Sequence, residues 1–177
     1  HVSIITMRGI GPLANAHSAR WREMAGFLLA AASNAVSRQR LAGSMERVVF
    51  HNARADADWL RDEFDAFAGH FIDLSSANLR DALLASGSIP LVLEAVTGIA
   101  GAPDGPYWDG GLIDYHPHLP YQRDPGLVLY PHFNDYIVPG WLDKSMPWRR
   151  AKDQALENMI LVSPSPDFVA RLPNAKL

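Results

Sequence analysis

Apolar residues follow two different spacings along the chain, and the changes of spacing predict where strands and helices lie. Short runs of β-branched and aliphatic residues predict five strands, at 2–7, 46–50, 71–74, 126–130 and 159–162. Apolar residues three and four positions apart predict helices at 14–41, 56–69, 75–84 and 147–156. Because helices alternate with strands, the pattern favours an α/β domain with a mostly parallel sheet flanked by helices.

Two apolar stretches are predicted to be buried. The first is a stripe along the first helix, formed by Trp21, Met24, Leu28, Ala32 and Ala35 or Val36. Its alanine content favours packing on a sheet over a face that binds lipid or a partner. The second is 91–96, which periodicity does not assign to helix or strand. The glycine- and proline-rich segment 98–106 is predicted to be a loop.

Composition narrows the classes of protein to consider. The chain has 177 residues, 48% of them hydrophobic, a formal net charge of −3 and no cysteine. We expect one folded domain over 1–177, no nucleic-acid partner, no disulfide and no thiolate metal site. Neither a signal peptide nor a transmembrane run is visible, and the compartment stays open, with the cytoplasm favoured.

One stretch carries candidate chemistry, from Tyr107 to His116. In it, Asp109 is followed at once by Gly110 and Gly111, between aromatic and aliphatic residues. Such a carboxylate is expected in a tight turn, where a Cβ on the residues that follow it would obstruct a neighbour. Catalytic carboxylates are often presented in this way. The alternative is a plain turn in which Asp109 bonds to its own backbone, since Asp-Gly is a common turn pair.

A second stretch, Leu-Ala-Ser-Gly-Ser-Ile-Pro at 84–90, precedes Asp109 by about twenty residues. Together with Asp109-Gly110-Gly111 it resembles the patatin-like phospholipase family, whose A-S-x-x-x-P segment precedes a D-G-[GA] motif. The likeness extends from roughly 79 to 120. It implies a patatin-like α/β fold and cofactor-free hydrolysis of lipid acyl esters by a Ser-Asp dyad. Asp109 matches the general base, and the matching cleft residues are Ser86, Ser88, Pro90, Gly110 and Gly111.

The nucleophile of that family lies in a G-x-S-x-G motif, which this sequence lacks. Every serine is missing glycine at one or both of the flanking positions. The chain also opens inside a predicted strand, so we expect it to be the C-terminal part of a single patatin-like domain and inactive alone. The parent protein would be a serine-dependent ester hydrolase of lipid degradation. The alternative is a non-catalytic binding module that has lost the serine.

Two histidines stand where the family often has an asparagine and a Leu-Pro pair. They are His116 and His118, separated by Pro117. They are interpreted as polar loop residues near the cleft mouth, with His116 closest to the base. Two alternatives stay open, a Ser-His-Asp arrangement and a metal site that adds His132 or Asp114. No metal is expected, because the spacing indicates no third ligand.

The partners expected are a lipid ester substrate and, transiently, a membrane surface. A basic and aromatic group could face anionic headgroups, although such a group is more often a solvated face. Its members are Lys144, Trp148, Arg149 and Arg150. A partial sheet would also expose an edge or an apolar face. Self-association, or association with the missing N-terminal segment, is therefore expected.

Overall fold

The computed structural model describes residues 2–52, 65–121, 126–152 and 156–175. Within these ranges it is a mixed α/β structure, as the sequence predicts. All five predicted strands are present, with shifts of at most two residues at their ends. Most of the helix predicted at 56–69 lies outside the described residues.

The main sheet has four strands in the order β3-β2-β1-β4. Their bounds are Ser3–Gly9 for β1, Met45–His51 for β2, Gly69–Asp73 for β3 and Tyr107–Asp109 for β4. β2 and β3 are parallel, whereas β1 runs antiparallel to both β2 and β4. The expected mostly parallel sheet is therefore only partly right. Gly9 pairs with Met45, so the helical connection between β1 and β2 leaves and re-enters the sheet at the same end.

A second sheet contains two parallel strands, β5 at Val128–Pro131 and β6 at Met159–Val162. The apolar run at 127–129 is typical of a strand covered on both faces, but this strand is not covered in that way. Burial alternates along both strands, and Leu129 is 66% exposed. One face of this small sheet is therefore open to solvent.

Four α-helices are described: α1 at Arg20–Val36, α2 at Leu79–Ser86, α3 at Gly111–Asp114 and α4 at Pro166–Ala170. Short 3-10 helices lie at Gly11–Leu13, Ala16–Ser18, Arg38–Gly43, Trp141–Asp143, Pro147–Arg149 and Pro173–Ala175. The helix predicted at 147–156 is only a 3-10 turn in its described part. None of the described helices is long and apolar enough to cross a membrane.

The apolar stripe of α1 faces away from the sheet, so that prediction is wrong. The helix instead buries Gly26, Phe27, Ala30 and Asn34. Phe27 packs edge-on against Trp108 of β4, with ring centroids 5.3 Å apart. A Cβ on Gly26 would lie 2.7 Å from a terminal methyl carbon of Leu13 and 3.1 Å from the Pro12 carbonyl oxygen, so glycine lets this face pack closely without a shift of those groups. The segment 91–96 is wrongly predicted too, since Val92 is 74% exposed.

A buried cation joins the sheet to α3. Arg47, in β2, is only 2% exposed. Its guanidinium donates two hydrogen bonds to Asp114 at the end of α3, at 2.6 and 2.9 Å, and two to Asp65, at 3.2 and 2.7 Å. Burial lowers the pKa of Arg47, but the bonds and charges of Asp114 and Asp65 outweigh it and raise that pKa above its ordinary value. The side chain therefore stays charged, and α3 is fixed to β2.

Replacing Asp114 by alanine should lower the free energy of unfolding by about 3 kcal/mol or more, because it removes the most deeply buried partner of the Arg47 charge. Urea unfolding followed by circular dichroism measures the loss. Glu46→Ala is the control, since its pairs with Arg8 and His70 are partly exposed and should each be worth about 1 kcal/mol or less. Equal losses in the two variants would contradict the role given to Arg47.

Candidate functional site

Asp109 is the last residue of β4, and its backbone is held on both sides. It pairs with Thr6 of β1 on one side. On the other, its N–H donates to the carbonyl of Ser88, at 3.0 Å. The strand ends there because α3 begins at Gly111. The carboxylate therefore projects from the end of a strand in the main sheet.

Gly110 is required by the close approach of β1. A Cβ at this position would lie 2.5 Å from the carbonyl oxygen of Ile5 and 2.7 Å from its carbonyl carbon. Gly111 is less constrained, since a Cβ there would lie 3.1 Å from Oδ1 of Asp109, a side-chain atom. Its N–H donates to that same Oδ1 at 2.8 Å. The two glycines therefore allow the close backbone approach that the sequence predicts, and the requirement is strictest at Gly110.

The two serines of the upstream motif are bound to the end of α2. The Ser86 hydroxyl donates to the carbonyl of Leu83 at 2.9 Å, and the Ser88 hydroxyl to that of Leu84, also at 2.9 Å. Ser88 is buried, and its own carbonyl receives the N–H of Asp109. Both hydroxyls are thus used to turn the chain from α2 towards Pro90.

A cavity of about 240 Å³ lies beside the Asp109 carboxylate. Its wall is formed by Ile89, Pro90, Asp109, Gly111, Leu112, Tyr115 and Trp141. Three separate segments of the chain meet there, including both motifs that the sequence singles out. Most of the lining is apolar, and among the described residues that form it only Asp109 carries a formal charge.

No protein-family model, no curated protein and no solved structure matches this chain. The resemblance to patatin-like phospholipases is therefore carried by the two short motifs alone. What the structure adds is their spatial relation, since the backbone of one is hydrogen-bonded to the backbone of the other.

Tyr115 and Trp141 line the cavity, although sequence reasoning gives neither a role in the site. Tyr115 lies within the same motif stretch as Asp109, and this nearness in sequence is the signal that could have placed it in the site. Trp141 comes about thirty residues after Asp109 and follows Gly140. A Cβ on Gly140 would lie 2.4 Å from the Arg38 guanidinium and 3.0 Å from Asp143, which explains that glycine. No sequence pattern links Trp141 to the cavity.

His116 lies behind the cavity wall and not in it. It is 2% exposed and stacks on Tyr115, with ring centroids 4.5 Å apart. Its Nδ1 accepts the N–H of Val138 at 2.8 Å, so the neutral ring carries its proton on Nε2. Burial, helped by the charges of His132 and Lys144, lowers the pKa of His116 to about 4. The residue is a neutral support for Tyr115 near pH 7.

The metal alternative gains no geometric support. Among the described residues, no group of three or more potential ligands lies close enough to hold an ion. The rings of His116 and His132 meet edge to face at 4.0 Å, and Nδ1 of His132 accepts the N–H of Asn134. Burial and the nearby Arg38 lower the pKa of His118, whose Nε2 has no hydrogen-bond partner in the described part of the chain.

The basic and aromatic group at 144–150 does not form one face. Arg149 turns inward and bonds to Asp143 and Asn34. Arg150 lies over the ring of Tyr136, at 3.8 Å. Lys144 lies over Tyr115, at 4.7 Å, and Trp148 is 75% exposed. Only part of the group therefore faces solvent.

Gly110→Ala should lower the free energy of unfolding by roughly 1–3 kcal/mol, because the new methyl group meets the backbone of Ile5. Gly111→Ala should cost less, since a side-chain oxygen can shift. Gly43→Ala is the control, because a Cβ there has nothing within 4 Å. Denaturant unfolding of the three variants gives the comparison, and three equal values would refute the steric argument.

The His116 ring should make stability depend on pH. An unfolded histidine, with a pKa near 6.5, takes up a proton before the folded one, whose pKa is about 4. Its contribution is complete above pH 6.5 and should fall by up to roughly 3 kcal/mol as the pH drops towards 4. The measurement is the free energy of unfolding against pH, relative to His116→Asn, which keeps an acceptor for Val138 but does not titrate. A difference between the two proteins that stays constant with pH would show that His116 is not responsible.

Proposed function

We propose that this chain carries the general base of a patatin-like acyl-ester hydrolase, with Asp109 acting in a Ser-Asp dyad on lipid esters. The observation that supports this most is the meeting of the two short motifs. The Asp109 N–H donates to the Ser88 carbonyl, and Pro90, Asp109 and Gly111 line one cavity. A purely local turn motif would need no such relation to a segment about twenty residues upstream.

The Asp109 carboxylate is suited to accept a proton. Its Oδ1 is oriented by the Gly111 N–H. In the part of the chain that the structure describes, no other group is hydrogen-bonded to this carboxylate. Oδ2 is therefore available to a serine hydroxyl placed at 2.6–3.2 Å, the range that general-base catalysis needs.

The cavity next to this carboxylate suits an acyl chain. Its volume is about 240 Å³. Ile89, Leu112 and Trp141 supply apolar contacts. Trp141 is 46% exposed, so it can meet a substrate at the entrance.

The proposed reaction follows from these contacts. A serine hydroxyl gives its proton to Asp109 as its oxygen attacks the ester carbonyl, and the alcohol then leaves with that proton. Water repeats the sequence on the acyl-enzyme and releases the fatty acid. The serine and the oxyanion donors would come from polypeptide outside these 177 residues, because no serine here lies in G-x-S-x-G.

A non-catalytic binding module is the second candidate. The bond from the Gly111 N–H to Asp109 is also what a plain structural turn makes. The cavity could then hold an apolar ligand without any reaction. The substitution Asp109→Asn distinguishes the two functions, because asparagine can accept the same N–H but cannot act as a base.

In the natural polypeptide that contains this chain, Asp109→Asn should reduce kcat/KM for a p-nitrophenyl acyl ester by about 10²–10⁴-fold, because the base is lost. Its thermal stability should stay unchanged, because the turn keeps its acceptor. Asp109→Ala should lose activity and stability together. Full activity in the asparagine variant would remove Asp109 from catalysis and favour the binding module.

A fluorophosphonate probe gives a complementary test on the 177-residue chain alone. We expect no stoichiometric labelling, since the nucleophile would lie elsewhere. Stoichiometric labelling of any serine in the chain would contradict the proposal that the serine of the dyad lies outside these residues.

A further inference from the structure

One side of the Asp109 cavity is a short stretch of chain, residues 88–91, which we call the wall segment. Ile89 and Pro90 line the cavity. At one end of the segment, the Ser88 carbonyl accepts the N–H of Asp109 at 3.0 Å. At the other end, Leu91 is hydrogen-bonded to α1. The position of the wall relative to the carboxylate therefore depends on two anchors, and only the first of them is part of the main sheet.

The anchor at Leu91 uses both of its backbone polar groups. Its N–H donates to Oε1 of Glu23 at 2.9 Å, and its carbonyl accepts from Nη2 of Arg20 at 3.1 Å. Arg20 is the first residue of α1, and Glu23 lies in its first turn. A hydrogen bond to a charged side chain is stronger than one between neutral groups. We call these two bonds the Leu91 clamp.

Leu91 has an unfavourable backbone conformation. Its φ is +65°, in the left-handed region that favours glycine. It is the third residue of a turn in which the Val92 N–H donates to the Ile89 carbonyl at 3.2 Å. Proline second and a positive φ third are features of type II turns, where glycine or asparagine usually takes the third position. A leucine there is strained, and such strain persists only where the surrounding structure enforces it.

Strain and clamp together indicate that the wall segment is held in a position that it would not keep alone. Without the clamp, Leu91 would relax towards a negative φ, and the chain next to it would change direction. Ile89 and Pro90 would then move, because only Ser88 would still be anchored. A turn that served stability alone would carry glycine at position 91, since glycine adopts a positive φ without strain. Strained residues cluster instead at active sites and at ligand clamps.

We propose that Glu23 and Arg20 are positioning residues, which act through Leu91 to hold the wall segment in place beside the carboxylate. This inference rests on the proposed function, because it takes the Asp109 cavity as the place where the acyl chain of the substrate binds. Neither side chain is among the residues that line the described cavity. The clamp therefore governs how well the substrate fits, and the proton transfer to Asp109 does not depend on it.

Steady-state kinetics of the natural polypeptide that contains this chain test the effect on substrate. Glu23→Ala should raise KM for a p-nitrophenyl acyl ester by roughly 3–10-fold, the scale of one net hydrogen bond. It should leave kcat nearly unchanged, because the fit is lost equally in the ground state and the transition state. Glu23→Gln should behave like the natural protein, since its amide oxygen can accept the same N–H. Arg22→Ala is the matched control, because Arg22 lies in the same turn of α1 and donates to Ser18.

The substitution Leu91→Gly distinguishes relief of strain from a general loss of stability. Glycine takes the positive φ freely, so the turn would no longer need the clamp. Adding Leu91→Gly to Glu23→Ala should therefore bring KM back towards its natural value. Without strain at Leu91 the effect would have the opposite sign, because glycine makes the unfolded chain more flexible and packs less. A KM in the double variant that is no lower than in Glu23→Ala would overturn the inference.

Amide NMR tests the clamp on the 177-residue chain without any reaction. The Leu91 N–H should exchange with solvent about tenfold faster in Glu23→Ala than in the natural sequence, because its acceptor is gone. The amide signals of Ile89 and Gly111, which both line the cavity, should shift in this variant. They should keep their positions in Arg22→Ala.

The two measurements allow the clamp and the proposed function to fail separately. Full activity of Asp109→Asn would remove the proposed base, and the NMR results would still decide whether the clamp holds the wall. Unchanged Leu91 exchange and unmoved cavity signals in Glu23→Ala would overturn the clamp, even with Asp109 as the base. Equal KM values in Glu23→Ala and Arg22→Ala would overturn its role in substrate binding.

Discussion

The buried pair of Arg47 and Asp114 is the interaction on which the rest of the candidate site depends. Arg47 lies in β2, one of the two inner strands of the main sheet, and Asp114 ends the helix that begins two residues after Asp109. The other end of that helix is fixed by contact between Gly110 and the backbone of Ile5. With both ends held, the turn at Asp109 belongs to the rigid sheet, which is where precise chemistry is best supported.

Local sequence pattern predicts the strands well because a β-branched run needs little beyond its own preference to be extended. It does not predict their directions. β1 is antiparallel to β2 because the connection through α1 returns to the end of the sheet that it left. Nor does it predict which side of α1 is buried, since both sides are apolar. Gly26 and Phe27 decide that through their fit to Leu13 and Trp108.

The candidate site also contains residues that local sequence patterns point to and residues that they do not. Asp109 and Gly110 could be singled out because a tight turn leaves its mark in adjacent residues, whereas the Ser88 to Pro90 segment is singled out only by the family resemblance. Trp141 could not, since only the folded chain brings it to the cavity. The burial of Arg47 and Asp143 could not be predicted either, because charged residues are expected at the surface unless paired. Asp143 is 1% exposed and bonds to Asn34 and Arg38, both distant in sequence, and to the nearby Arg149.

The small sheet of β5 and β6 should resist local opening less than the four-stranded sheet does. In the four-stranded sheet, Val48, Val49 and Phe50 are wholly buried and the inner strands have partners on both sides. In the small sheet each strand has one described neighbour, and Leu129, Ile160 and Val162 are about half exposed or more. Amide protons there should exchange through low-energy local opening, whereas those of β1 and β2 should require cooperative unfolding. The small sheet should thus open locally while the turn at Asp109 keeps its geometry.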